Sequence, residues 1–278
     1  MKKLVALVLC LMMVLCAVPA LAEDAVKLGQ VQFAAHGAQS FAVITAAVQG
    51  DTVVAAWIDE FQVMSGEGVV GVPNSDAKFG ANIVGNEDGK VLGSKRVNNA
   101  YYSGNMASRG GATQELLVSW QAIEAFVAGK TIAELEQYAF DKAEAAGADV
   151  ISGATLADTL GYLKGIIAAA TVAANIQTGH YTVYNRTGET VKELYIAFNG
   201  EKGENLAGEG LADGASMLAI KSIPADADAH HALVFTYVTE SGRTGEFSTL
   251  SIEDVPMTLL SADAMTGATP LNFFAPQE

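Results

Sequence analysis

Cysteine is nearly missing from this chain of 278 residues: there are two, Cys10 and Cys16, and both sit in the apolar run near its start. Once that run is removed, no thiol is left. Disulfides, thiolate metal sites, a cysteine nucleophile, iron–sulfur ligation and haem attachment through Cys-x-x-Cys-His are then excluded, so any electron carrier must be held by other chemistry. Basic residues are the second shortage. Lys and Arg number 16 against 31 Asp and Glu, for a formal net charge of −15. Phosphate backbones are repelled by such a surface, which excludes nucleic acid as a partner. The acidity bears on solubility and on the choice of basic partners, not on fold. A bilayer-spanning run is also lacking, because Leu4 to Val18 is too short. Its flanks, Met1-Lys2-Lys3 before and Pro19-Ala20-Leu21-Ala22 after, make residues 1–22 a secretory signal peptide with cleavage after Ala22. Leu9 and Leu15 stand before the cysteines where a lipoprotein needs a small residue. The expected address is therefore extracytoplasmic, secreted or in the cell envelope. No Gly-x-Ser-x-Gly elbow, Walker-type loop or His-Glu-x-x-His motif is found.

What is present alternates between strand and helix patterns, and the expected class is α+β. Phe41 to Val48 and Thr52 to Ile58, joined through Gln49-Gly50-Asp51, read as a hairpin. Residues 66–111 are rich in Gly, Asn, Ser and Asp and read as irregular. Gln114 to Val127 has helical spacing and stops at Gly129. Thr131-Ile132-Ala133-Glu134 is a capping box for a helix running toward Ala145 and ending at Gly147. Leu156 to Ile176 is apolar nearly all round, as a buried helix should be, and Asp158 and Lys164 interrupt it too much for a membrane span. At Gln177-Thr178-Gly179 the character changes. Short strands follow at His180 to Tyr184, Val191 to Phe198, Met217 to Lys221, Leu233 to Val238 and Glu246 to Ile252. Turn signals separate them at Asn199-Gly200, Asp213-Gly214 and Ser241-Gly242, which predicts a small antiparallel sandwich. Residues 23–177 and 178–278 are thus expected to form two domains.

Asp149-Val150-Ile151-Ser152-Gly153-Ala154-Thr155 runs into the apolar helix. Ser152 or Asp149 is placed to cap it, Gly153 and Ala154 leave the backbone accessible, and Thr155 offers a hydroxyl where first-turn N–H groups lack partners. Such a place suits a phosphate. The pattern of Asp, two free positions, Ser or Thr, Gly, Ala, then Ser or Thr resembles the flavinylation signature of the FMN-binding domain family. That family includes the covalent-FMN subunits of the sodium-pumping NADH:quinone reductase and Rnf complexes. The resemblance is close over these seven residues and the following helix, and looser from Gln30 to Tyr138. It implies that a flavin transferase joins the FMN phosphate to Thr155, with Asp149, Ser152, Gly153 and Ala154 as recognition and spacing elements. It also implies an electron-carrying role with a membrane or envelope redox partner. The best-known relatives keep a membrane helix, whereas this chain reads as released.

A second stretch, Asp263-Ala264-Met265-Thr266-Gly267-Ala268-Thr269, has the same pattern, which makes Thr269 a second candidate. Pro270 follows it and leaves no helix of useful length to receive a phosphate. Lys95, Asn98, Asn99, Tyr101 and Tyr102 gather cations, amides and aromatics, and are candidates for holding the isoalloxazine ring. Met106 and Trp120 are expected in the core. His36 and His180 stand alone, with structural roles expected. His230-His231 is a solvated turn rather than a metal site, and Asp59-Glu60 is a solvent-facing pair. The competing reading is a non-redox envelope or cell-surface binding protein, in which the β-rich second part binds a partner and Asp149 to Thr155 is an ordinary helix start.

Overall fold

The computed structural model describes residues 25–65, 68–72, 90–145, 147–225, 232–249, 254–261 and 271–272. The signal segment, His230-His231 and the stretch ending at Thr269 lie outside them.

The chain is α+β. Strands β1 (Lys27–Phe33), β2 (Ser40–Gln49), β3 (Thr52–Met64) and β4 (Val91–Ser94) form an antiparallel sheet in that order. The predicted hairpin is β2–β3, with Ile44 opposite Ile58 and Ala42 opposite Glu60. Alternation along β2 buries Ala42, Ile44, Ala46 and Val48 on one face, as a half-covered strand requires.

The stretch read as irregular contains β4 and helix α1 (Asn99–Gly110). Its mean hydropathy is low because α1 packs few buried side chains, so apolar periodicity gave no sign of it. Helix α2 (Leu116–Val127) buries Leu116, Trp120, Ile123 and Val127. Helix α3 (Ile132–Asp141) opens with the predicted capping box, Thr131 and Glu134 bonding each other's backbone N–H groups. It stops at Asp141 rather than Gly147, and a separate 3₁₀ turn follows at Gly147–Asp149.

Helix α4 (Thr159–Ala174) lies across the inner face of β1 and β2. The approach is closest at Gly29, where a Cβ would stand 2.1 Å from Ala169 O and 2.4 Å from Ala173 N. Only glycine lets these two backbones touch. Leu163, Ile166, Ala169, Ala170 and Ala173 join the strand residues, Trp120 and Leu135 in one core.

Asn175, left-handed at φ 57°, ends α4 and leads straight into β5 (Ile176–Arg186). The expected boundary at Gln177-Thr178-Gly179 thus falls inside a strand. Beyond it run β6 (Val191–Phe198), β7 (Glu201–Lys202), β8 (Ser216–Pro224), β9 (Val234–Thr239), β10 (Thr244–Ser248), β11 (Asp254–Ser261) and β12 (Leu271–Asn272). They form two sheets, ordered β10-β9-β6-β7 and β12-β11-β5-β8. Tyr181 and Val183 from one sheet and Leu194, Ile196, Phe235, Tyr237 and Phe247 from the other share a second core. The rings of Tyr181 and Phe235 meet edge-on at 4.9 Å across it. The sheets are not wholly antiparallel, since β11 runs parallel to β5. Tight-turn signals fix direction only for strands they join, and β5 and β11 are remote in sequence.

Candidate functional site

The segment before α4 is a built loop, and the helix does not begin at Thr155. Ile151 to Ala154 form a turn closed by the Ala154 N–H on Ile151 O at 3.0 Å. Gly153 sits in it at φ +85°, a conformation that glycine adopts without steric cost. Val150, Ile151 and Ala154 are buried, while Asp149, Ser152, Gly153 and Thr155 face solvent. Asp158, not Ser152 or Asp149, holds the N-cap position of α4, and its side chain makes no capping bond. The intervening Leu156 and Ala157 are anchored by burial of Leu156 and by the Thr159 N–H on Leu156 O at 3.1 Å. Thr155 therefore stands one short step outside the helix mouth.

Two residues that sequence reasoning passed over hold it there. Gln114 Nε2 donates to Gly153 O at 2.7 Å and to Ser119 Oγ at 2.8 Å. Ser119, fully buried on α2, also accepts the Thr155 N–H at 3.2 Å. With both of those bonds accepted, the Ser119 hydroxyl hydrogen is left for Thr155 Oγ1, 3.5 Å away. The Tyr138 hydroxyl donates to Val150 O and pins the other end of the loop.

Thr155 opens on a cavity of about 400 Å³. Tyr102 and Met106 of α1, Gly111, Thr113, Leu116, Asp158, Tyr162 and His36 share its wall. Met106, expected in the core, packs partly buried against it and also forms part of this wall. His36, expected to stand alone, has its Nδ1 2.5 Å from Asp158 Oδ2. Both side chains are partly exposed.

The remaining candidates divide. Tyr102 shares the cavity with Thr155. Tyr101 lines a neighbouring hollow of about 340 Å³, also walled by Tyr102 and Arg109, and gives its hydroxyl hydrogen to Ser65 O. Asn98 spends its amide on Val70 and Ser94, accepting the Val70 N–H at 2.7 Å and donating to Val70 O at 2.8 Å and Ser94 O at 2.9 Å. Asn99 reaches Glu115 and accepts the Leu117 N–H, so it tethers α1 to α2.

Lys95 is buried and paired with Glu60, itself fully buried. This corrects the reading of Asp59-Glu60 as solvent-facing. The same carboxylate accepts the hydroxyl of Tyr162 at 2.9 Å and that of Ser40 at 3.0 Å. Lys95 Nζ lies 4.4 Å from the centroid of the Tyr102 ring, close enough for a cation–π contact. The pair thus stands behind the wall and holds both of its tyrosines. Burial, and next the Glu60 charge, pushes the Tyr162 phenol far above its ordinary range. It stays protonated and can donate throughout accessible pH.

Asp59 accepts from the Glu60 N–H and from Ser94, fixing the turn before α1. Among the described residues no group of three or more His, Cys, Asp or Glu is placed to hold a metal ion, and no helix is long and apolar enough to cross a membrane.

No protein-family model matches the chain, and no curated protein matches it. Among solved structures, it aligns with a disulfide-locked mutant of intermedilysin with human CD59, at 10% identity and a TM-score of 0.19. The alignment covers 86% of this chain and 64% of that one. A likeness that weak carries no argument.

Proposed function

We propose that the protein is an exported flavoprotein that carries electrons through FMN joined to Thr155 by a phosphoester. The observation that carries the reading is the coincidence of two independent features: the Thr155 hydroxyl of the flavinylation-like motif, and a cavity at its side walled by Tyr102, Tyr162 and Met106. Its volume of about 400 Å³ lies within the range of about 300–1,000 Å³ usual for cofactor pockets.

The residues present fit the group. Thr155 supplies an exposed oxygen. The Thr159 N–H is already bonded to Leu156 O, so what the mouth of α4 offers a phosphate near Thr155 is the positive end of the helix dipole. The two tyrosines, Met106, Leu116 and Leu156 offer an aromatic and apolar wall for a ring system. Lys95 and Asn98 support that wall from behind and do not reach the cavity.

When bound, FMN supplies the redox chemistry. The chain's own part is to hold and shield it. Ser119 and Gln114 fix the Thr155 backbone and hydroxyl, and Glu60 and Lys95 hold the tyrosines against a shared anchor. In maturation, a flavin transferase forms the bond from Thr155 Oγ1 to the phosphorus of an FMN group carried in a flavin dinucleotide, whose phosphoanhydride bond breaks; the nucleoside monophosphate leaves and the hydroxyl proton passes to solvent. The electron donor is a membrane redox complex or another envelope flavoprotein. We further read residues 23–177 as the flavin-bearing part and 178–278 as a β-sandwich that docks to a partner. The separate cores on either side of the α4–β5 junction support that division.

Co-expression with a flavin transferase in an exporting host tests the reading. A band that fluoresces under ultraviolet light on a denaturing gel, and that is absent from Thr155→Ala, is the expected outcome. A parent protein without fluorescence contradicts it. Residual signal in Thr155→Ala that disappears in Thr155→Ala/Thr269→Ala assigns Thr269 as a second site.

A further inference from the structure

The His36 and Asp158 side chains form a pair on the wall of the cavity that Thr155 opens on. The connection between β1 and β2 carries His36, and Asp158 precedes α4, so two elements remote in sequence are brought together there. The Nδ1 to Oδ2 distance is 2.5 Å. Side-chain exposures of 46% for His36 and 37% for Asp158 leave the imidazole open to water while it faces the cavity. A carboxylate on Nδ1 leaves Nε2 as the ring nitrogen that exchanges protons.

The other titratable groups of the cavity wall are Tyr102 and Tyr162. Behind them lie Glu60, paired with Lys95 and bonded by Tyr162, and Lys95 itself beneath the Tyr102 ring. Tyr162 is held protonated, and Glu60 and Lys95 are sealed from water. His36 is therefore the imidazole on this wall, open both to solvent and to the cavity.

We propose that His36, oriented by Asp158, takes up the proton that accompanies electron uptake at this site. The proposal rests on the reading of Thr155 as an FMN attachment point. Where the bound ring takes up two electrons with only one proton, it would carry one more negative charge. That added charge attracts a second proton from water onto the imidazole, which becomes imidazolium beside Asp158. On oxidation the two electrons and both protons leave together. His36 touches the reacting charge only through space and acts as a proton acceptor, with Asp158 as its positioning residue.

The midpoint potential of the flavinylated full-length protein, measured from pH 5 to 8 by dithionite titration against reference dyes, tests this. One extra proton per two electrons is a tenfold change in equilibrium constant per pH unit, or about 30 mV per pH unit. The parent is expected to show that additional slope across part of this range, in which imidazoles titrate. In His36→Gln the additional slope disappears, and in Asp158→Asn the interval where it appears moves to lower pH. Identical slopes in the parent and His36→Gln overturn the inference while leaving covalent FMN standing. A parent without attached flavin overturns both.

Discussion

At the scale of single residues, the site turns on one hydroxyl and the atoms that aim it. Thr155, the proposed attachment point, was singled out in the sequence by the fixed order of Asp149, Ser152, Gly153 and Ala154 before it. For Gly153 the reason is steric: at φ +85° a side chain there is strained by about 1–2 kcal/mol. Ser119 and Gln114 were not legible. Ser119 lies 36 positions before Thr155 and Gln114 39 before Gly153, and nothing in Gln114-Glu115-Leu116 announces that its amide will reach Gly153 O. His36 was read as standing alone for the same reason, since its partner Asp158 is 122 positions on. Ser119→Ala removes a bond to the Thr155 N–H and the neighbour of its Oγ1, and strands the Gln114 amide. The expected result is flavin attachment lowered several-fold under limiting transferase, read by gel fluorescence, with the melting temperature falling by only the equivalent of about 1 kcal/mol. Attachment at the parental rate would remove Ser119 from its positioning role.

Whole elements carry the next layer. The hairpin β2–β3, the capping box of α3 and the buried α4 follow from periodicity and capping chemistry, and were read correctly in kind. The start of α4 was placed too early because Leu156 continues its apolar pattern, although the backbone between Thr155 and Asp158 is not helical. Helix α1 was missed because polarity was mistaken for irregularity. The Lys95–Glu60 pair could not be seen either, because burial of adjacent charges depends on which face of β3 meets α4. Removing one partner leaves the other charge uncompensated in the interior. Lys95→Met is therefore expected to destabilise the fold by about 3–5 kcal/mol in urea unfolding, and Lys95→Met/Glu60→Gln to recover part of that loss. A double variant as unstable as the single one would show that packing rather than charge is at stake.

For the whole molecule, the α+β class was evident from composition and pattern, whereas the joint was not. The change from apolar helix to short strands is real, yet it comes at Asn175, and the expected boundary at Gln177-Thr178-Gly179 falls within β5. The two cores are separate sets of side chains. Glu136 of α3 and His180 of β5, 3.3 Å apart, are one place where the helical part and the later strands meet. Truncating a ring in the second core should therefore leave the Thr155 loop intact. Phe235→Ala is expected to cost about 3–5 kcal/mol in the unfolding of the later strands, with flavin attachment at Thr155 unchanged. Loss of attachment in that variant, at a temperature where circular dichroism shows a folded protein, would mean that the two parts act as one. The net charge of −15 fits electrostatic choice of a basic redox partner, whose association would weaken as salt is raised.

The central claim concerns a single covalent bond, and intact-mass spectrometry of the protein exported beside a flavin transferase reads it directly. A gain equal to one FMN less one water, mapped by peptide fragmentation to Thr155 and absent from Thr155→Ala, is expected. An unmodified mass for the parent, or the same gain persisting in Thr155→Ala with fragmentation placing it on another residue, would contradict it.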